Sequence, residues 1–386
     1  MVARFKYLLY LLAFTLIPTI LIWLPLFFKL DSFWGIPLPQ QGMATIAANY
    51  DGPLYLVVAK SLYNSEFIRL NYSFPLPLEY YAAHFPLFPM LIRLFAPLAG
   101  FPYSMLFVTV ASSYLLIFYF YKLIKGHVSE NNALWVTFVF SLFPARFLIS
   151  RSVGSPEPLF MAALVASIYY FRNKKYFFAG IAGAIATLTK SPGILLFIVF
   201  LGYIISSQLK NIALLPTRAW ISKLQIGKIY PILFIPVALF SVFFLYSKVF
   251  GNFFAYFNSG DNIHIFFPPF SIFNYSAPWV GTSWLEEVLL VYLIGGLGLL
   301  NLIEKRQYLY AWFVGVFFTS ILFVSHRDIV RYALPILPFL FVAFSETVVK
   351  KQFKFLFALL LIPIYLFSLS FISQNVMPIP DWAPLL

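Results

Sequence analysis

From one end to the other, the chain repeats apolar runs long enough to cross a bilayer. Residues 7–28 contain no Asp, Glu, Lys, Arg or His, and segments 102–124 and 353–372 contain a single lysine each. A hydrocarbon core about 30 Å thick is crossed by roughly 20 helical residues, so each run matches one span. A mean hydropathy of +0.87 and 48 phenylalanines exceed what a soluble chain of 386 residues can bury, because soluble folds need a polar exterior. The expected class is therefore all-α: a polytopic transmembrane helical bundle of about eleven spans. They are placed near 7–28, 102–124, 132–149, 156–172, 176–189, 191–208, 229–250, 284–303, 307–325, 330–346 and 353–372. Short connections predict one transmembrane unit over 1–386. The first run is too long for a signal-peptide core and lacks a small-x-small cleavage site, so it reads as a retained span.

Loop charges set the expected orientation. With the N-terminus cytoplasmic, sixteen of the 26 Lys and Arg residues fall inside, as do only Glu130, Glu304 and Glu346 of the 13 acidic residues. The positive-inside rule selects that arrangement. A pI near 9.6 is thereby explained by membrane orientation, and no nucleic-acid partner is expected. Two long connections then lie outside, 29–101 and 251–283. The run 85–97 is too short to cross and reads as an interfacial helix. Small residues Ala179, Gly180, Gly183 and Ala184 predict close helix packing, and the proline-rich tail 373–386 reads as extended. With no cysteine there is no disulfide, thiol nucleophile or thiolate metal site.

Charges at membrane boundaries are costly unless they pair, snorkel or line a wet cavity, and here they gather on the outer side. Asp51, in Asn49-Tyr50-Asp51-Gly52-Pro53, is the sharpest candidate. It reads either as the N-cap of a helix that Pro53 opens or as a general base that removes a proton from an acceptor hydroxyl. A phosphate leaving group departs as a stable anion and needs no second carboxylic acid, but it does need cations around it. Those are offered by His326, Arg327 and Arg331, and by Arg146 to Arg151. Arg327 and Arg331 share a helical face if a helix has begun by then. Lys190 follows a short span and precedes Ser191-Pro192-Gly193, where snorkelling is the plainer reading. Glu157 opens another span and serves either the helix dipole or the site. Asp261 with His264 is too small a set for a metal site, and no metal or other cofactor is expected. Tyr80, Tyr81, Trp279 and Trp284 read as acceptor contacts or as an interfacial aromatic belt.

In order along the chain, five stretches resemble the GT-C superfamily of integral-membrane glycosyltransferases, and within it the mannosyltransferases related to the second one of GPI-anchor synthesis. They are NYDGPLYLVVAKSLY (49–63), HFPLFPMLIRLFAPLAG (84–100), SRSVGSPEPLFMAAL (150–164), FFAGIAGAIATLTKSPGILL (177–196) and RYALPILPFLF (331–341). Tyr50 stands where that family often has Trp, and Lys190 where it has Arg. The resemblance implies a polyprenyl-phosphate sugar donor in the membrane and inverting transfer of a hexose, such as mannose, on the extracytoplasmic side. A glycan, lipid or protein hydroxyl would be the acceptor. It implies Asp51 as catalytic base, Glu157 and Lys190 in the vicinity of the site and Arg331 near the donor phosphate; with the charge reading above, the expected phosphate-binding set is Arg331, Arg327, His326, Lys190 and Arg151, with Tyr50, His84 and Glu157 in the substrate vicinity. The rival reading is a transporter or flippase of a lipid-linked or anionic glycan. Transporters usually bind at the midplane within repeated halves, whereas these charges crowd one end.

Overall fold

The computed structural model describes residues 2–74, 76–212, 229–260, 263–273 and 285–386. All eleven expected segments have helical counterparts: α1 (Val2–Phe27), α6 (Phe101–Ile124), α7 (Glu130–Leu142) continued by α8 (Ala145–Ser152), α9 (Glu157–Arg172), α10 (Tyr176–Thr189), α11 (Leu195–Ile212), α12 (Phe234–Val249), α13 (Leu285–Glu304), α14 (Tyr308–Ile321), α15 (Ile329–Ala333) running on to α16 (Leu337–Ala343), and, after α17 (Ser345–Val348), α18 (Lys351–Gln374). Among the described residues five of these are long and apolar enough to cross a membrane singly, and the pair α7–α8, bent by 72°, makes a sixth. The chain is a multi-pass membrane protein. The remaining apolar helices are shorter than a bilayer crossing requires.

Proline and glycine account for the breaks and the close approaches. The α7–α8 bend falls at Pro144, which supplies no backbone donor and disfavours helix in the residue before it. The small residues of α10 pack as the sequence predicts: a Cβ at Gly180 would strike the Pro231 carbonyl, and one at Gly183 would reach Ile235 of α12 at 2.6 Å. In a bilayer, where apolar burial alone gives little drive for helix association, this close fit is what joins α10 to α9 and α12.

The connection 29–101 is a folded layer. It holds a two-strand hairpin, β1 (Ser32–Phe33) with β2 (Ile36–Pro37), then α2 (Met43–Ala47), α3 (Gly52–Ser61), α4 (Ser65–Asn71) and α5 (Leu87–Ala99). Helix α5 has the two faces expected of the interfacial run: Phe88, Ile92 and Ala96 are buried, while Met90, Leu94 and Leu98 are exposed. Helix α3 differs. All of its residues except Lys60 are buried, so it is an enclosed helix under α5, α6 and the chain's last turn, Ala383–Leu385. Each large apolar side chain enclosed there, such as Leu54, Leu56 and Val57, contributes roughly 1.5–3 kcal/mol to holding the layer. The tail is correspondingly not a free extension. Met377 N–H donates to the Ala48 carbonyl at 2.8 Å, Tyr72 Oη to the Pro384 carbonyl at 3.2 Å, and Leu385 is buried.

Candidate active site

The ends of α3, α9 and α10, with α15, bring charged side chains together beside Met105 and Thr109 of α6. Residues 49–52 form a tight turn closed by Gly52 N–H donating to the Asn49 carbonyl at 3.1 Å. Gly52 is required there, because a Cβ would strike the Ala47 carbonyl. Tyr50 sits in the left-handed region at φ +50°, a conformation that costs a non-glycine residue about 1–2 kcal/mol. Asp51 follows at the N-cap position of α3, yet its side chain makes no capping hydrogen bond and remains 38% exposed. Its carboxylate is 4.0 Å from Arg331 Nη2. The capping reading of Asp51 therefore has no hydrogen bond behind it.

Arg331 is the hub. Its Nε donates to Glu157 Oε1 at 2.8 Å, its Nη2 lies 2.7 Å from the same oxygen as an ion pair, and its guanidinium lies 4.0 Å above the Tyr50 ring. Lys190 Nζ reaches the same Glu157 oxygen at 2.8 Å, and Ser155 Oγ donates to the other. Glu157 is thus buried with both oxygens engaged. It is fixed in turn by α6: Thr109 Oγ1 accepts from Ser155 N–H at 3.2 Å, and Gly154 allows Met105 to close in. Lys190 arrives because α10 ends at Thr189 and the backbone turns extended at Lys190 before Pro192. Two carboxylates and two cations balance, and Lys190 and Asp51 keep the more exposed sides. Such a cluster can hold an anionic group against the cations while Asp51 accepts a proton beside it.

The other expected residues divide. His84 is buried next to Tyr55, ring centroids 4.7 Å apart, and burial lowers its pKa while the Asp51 charge opposes that. His326 accepts from Asp328 N–H through Nδ1 at 3.0 Å, which leaves its neutral form protonated at Nε2. Burial, the neighbouring His264 and the cations Arg331 and Arg327 push its pKa down to about 3, so it is held as a neutral imidazole rather than a cation. Arg327 corrects an expectation. The helix begins only at Ile329, so Arg327 precedes it, shares no helical face with Arg331 and is exposed.

Arg151 corrects another. It is fully buried, and its guanidinium donates to backbone carbonyls: Ser141 at 2.6 Å, Phe14 at 3.0 Å, and Thr15. Arg146, which the sequence offered only as part of the same cationic stretch, is the one that faces the cluster. Its Nε lies 2.8 Å from Asp328 Oδ1, an ion pair by distance that lacks hydrogen-bond angles, and its guanidinium lies 4.0 Å from the Phe371 ring centroid. The nearness of Asp328 and Arg331 to Tyr50 also joins this pair to the hub: burial, with the Asp328 charge, drives the Tyr50 phenol upward in pKa. Tyr81 is buried and Tyr80 lies 6.1 Å from His84, whereas Asp261, Trp279 and Trp284 fall outside the described residues. Among the described residues no group of three His, Asp or Glu is disposed to hold a metal ion, and His264 stands beside His326 at 4.3 Å between ring centroids.

No family model and no curated protein matches the sequence. Solved structures do. The chain is similar to ArnT from Cupriavidus metallidurans bound to undecaprenyl phosphate, with TM-score 0.56 and 13% identity over 90% of this chain and 62% of that one. It is also similar to the Archaeoglobus fulgidus oligosaccharyltransferase tethered to an acceptor peptide containing the NVT sequon, with TM-score 0.55 and 12% identity over 97% and 56%. The archaeal oligosaccharyltransferase AglB from Archaeoglobus fulgidus in complex with an inhibitory peptide and a dolichol-phosphate gives TM-score 0.51 and 13% identity over 97% and 57%. The chain thus spans somewhat over half the length of these neighbours. At such identities the likeness is one of architecture: the chain shares the fold of these ArnT and oligosaccharyltransferase structures.

Proposed function

We propose that the chain is an inverting glycosyltransferase that moves a hexose, mannose by the sequence resemblance, from a polyprenyl-phosphate donor to a hydroxyl acceptor on the extracytoplasmic face. The observation that carries this reading is the uncapped, part-exposed Asp51 carboxylate 4.0 Å from Arg331. That ArnT and AglB are described bound to undecaprenyl phosphate and dolichol-phosphate supports the donor class.

In the reaction Asp51 accepts the acceptor's hydroxyl proton as the oxygen attacks the anomeric carbon from the face opposite the phosphate. The bond from that carbon to the phosphate oxygen breaks, and its electron pair leaves with the lipid phosphate. Lys190 and Arg331 are the cations assigned here to stabilise that oxygen's growing charge. Glu157 is unsuited to a nucleophile's part, because Arg331, Lys190 and Ser155 occupy its oxygens. One working carboxylate fits a single displacement with inversion rather than the paired carboxylates of glycoside hydrolysis. The acceptor is a glycan, lipid or protein hydroxyl, and the outer connection 251–283 is the segment proposed to select it.

The test is transfer from a panel of radiolabelled polyprenyl-phosphate sugars to membrane acceptors, comparing wild type with Asp51→Asn. Transfer from one donor, reduced about 10²–10⁴-fold by the substitution at unchanged yield of folded protein, is the expected result. An equally active Asp51→Asn variant would remove Asp51 from the mechanism. Net flux of a lipid-linked glycan in proteoliposomes without transfer would replace the enzyme by a flippase.

A further inference from the structure

Immediately before Tyr50 and Asp51 lies a polar residue with no place in the chemistry. Asn49 is completely buried. Its Nδ2 donates twice, to the Thr45 carbonyl at 2.8 Å and, across 323 residues of sequence, to the Ile372 carbonyl in the last turn of α18 at 2.9 Å. Its Oδ1 is 3.5 Å from Asn375 Nδ2, and its backbone forms an antiparallel bridge with Val376. Next to it, the Ala48 carbonyl accepts from Met377 N–H. The Asn49 carbonyl itself closes the turn that carries Asp51. One residue therefore fastens the strained turn to α18 and to the chain that follows it.

The same end of α18 also reaches the cationic side of the cluster. Phe371 lies against the Tyr50 ring at 5.9 Å between centroids, while Arg331 covers Tyr50 and Arg146 covers Phe371. Beyond Met377 the chain continues over the outer layer until Leu385 is buried among the side chains that enclose α3. A left-handed Tyr50 persists only where its surroundings hold it. Here the holding contacts come from α18 and the tail as well as from the turn.

We infer that Asn49 is a positioning residue for Asp51, and that segment 372–377 is a strap that fixes the Tyr50–Asp51 turn against Arg331. The inference rests on the glycosyl-transfer reading for what Asp51 does, and on hydrogen bonds alone for how Asp51 is held. Asn49→Ala removes both side-chain donors. Met377→Pro removes the N–H that reaches Ala48, together with a partly buried side chain that packs on the core around α3.

The experiment measures transfer kinetics and amide hydrogen exchange on the full-length wild type, Asn49→Ala, Met377→Pro and Asp51→Asn proteins. Misplacing a reacting group by about 1 Å can cost 10²-fold, so Asn49→Ala should lower kcat about 10- to 100-fold with the KM for donor nearly unchanged. Met377→Pro should shift kcat the same way by less. Exchange should rise over residues 46–56 and stay at the wild-type rate over 155–165 and 329–335. An active wild type with an equally active, folded Asn49→Ala variant overturns the strap and leaves the glycosyl-transfer reading standing. Faster exchange throughout the bundle, with KM and kcat both impaired, reduces Asn49 to general stability and also overturns the inference. A wild type that transfers no sugar overturns the glycosyl-transfer reading, and with it the kinetic role of Asn49, whatever the exchange data give.

Discussion

Two arginines, Arg151 buried and Arg331 partly buried, are used in opposite ways. Arg331 meets a carboxylate, Glu157, through two nitrogens, lies over Tyr50 and comes within 4.0 Å of a second carboxylate that is part-exposed. Arg151 meets main-chain carbonyls and the Thr19 hydroxyl, with no carboxylate among its hydrogen-bond partners. Two of those carbonyls, of Phe14 and Ser141, need a donor. Pro18 has no N–H to give to Phe14, and α7 stops at Leu142, leaving Ser141 in the last turn without its next helical donor. Arg151 therefore repairs two helix defects made by prolines, whereas Arg331 builds an electrostatic site. A cation's role follows from the acceptors that the fold delivers to it, and its distance along the chain from other charges says little.

The comparison can be broken in several ways. The largest effect is expected from Asp51→Asn, the substitution described above, since it removes the carboxylate that Arg331 faces. Next is Arg331→Lys, which keeps the charge but cannot contact Glu157 through two nitrogens while lying flat over Tyr50. A loss of about 10²-fold in kcat with normal folding is expected, read in the same transfer assay. Arg151→Leu should do the reverse: a lower melting midpoint in detergent, reflecting about 1–3 kcal/mol for carbonyls left unpaired, with kcat of the folded fraction within about twofold of wild type. Should Arg151→Leu abolish transfer in stably folded protein, the division between the two arginines fails.

The smallest effect concerns pH. His326 titrates near 3 in the folded chain, below the ordinary histidine value of about 6.5, so the unfolded chain takes up its proton first as pH falls. Its contribution to stability is complete above about 6.5 and is lost progressively between there and 3. Melting midpoints measured across this window should fall more steeply for wild type than for His326→Gln. Equal slopes would mean that His326 is not held neutral beside Arg331.

Much of this was legible in advance, for identifiable reasons. The apolar runs gave the helices and the small residues of α10 gave its close packing, because both depend on composition over a few turns. Asp51, Glu157, Lys190 and Arg331 stood out because charge is rare and costly in such a chain. Whether Arg327 shares a helical face with Arg331 depends on where the helix begins, and it begins at Ile329, two residues after Arg327. Asn49 was passed over altogether. An uncharged amide gives no signal until its partner, 323 residues away, is known.

The sequence by itself determined that the chain crosses a membrane many times, and it singled out the carboxylate worth testing. These follow from local transfer energies, which each segment carries with it. The tertiary structure alone decided that Glu157 grips Arg331 and Lys190, that Arg151 serves the backbone, and that the tail fastens the turn bearing Asp51. Those are pairings of specific donors with specific acceptors over a few ångströms, and only the packed helices bring such distant residues within reach.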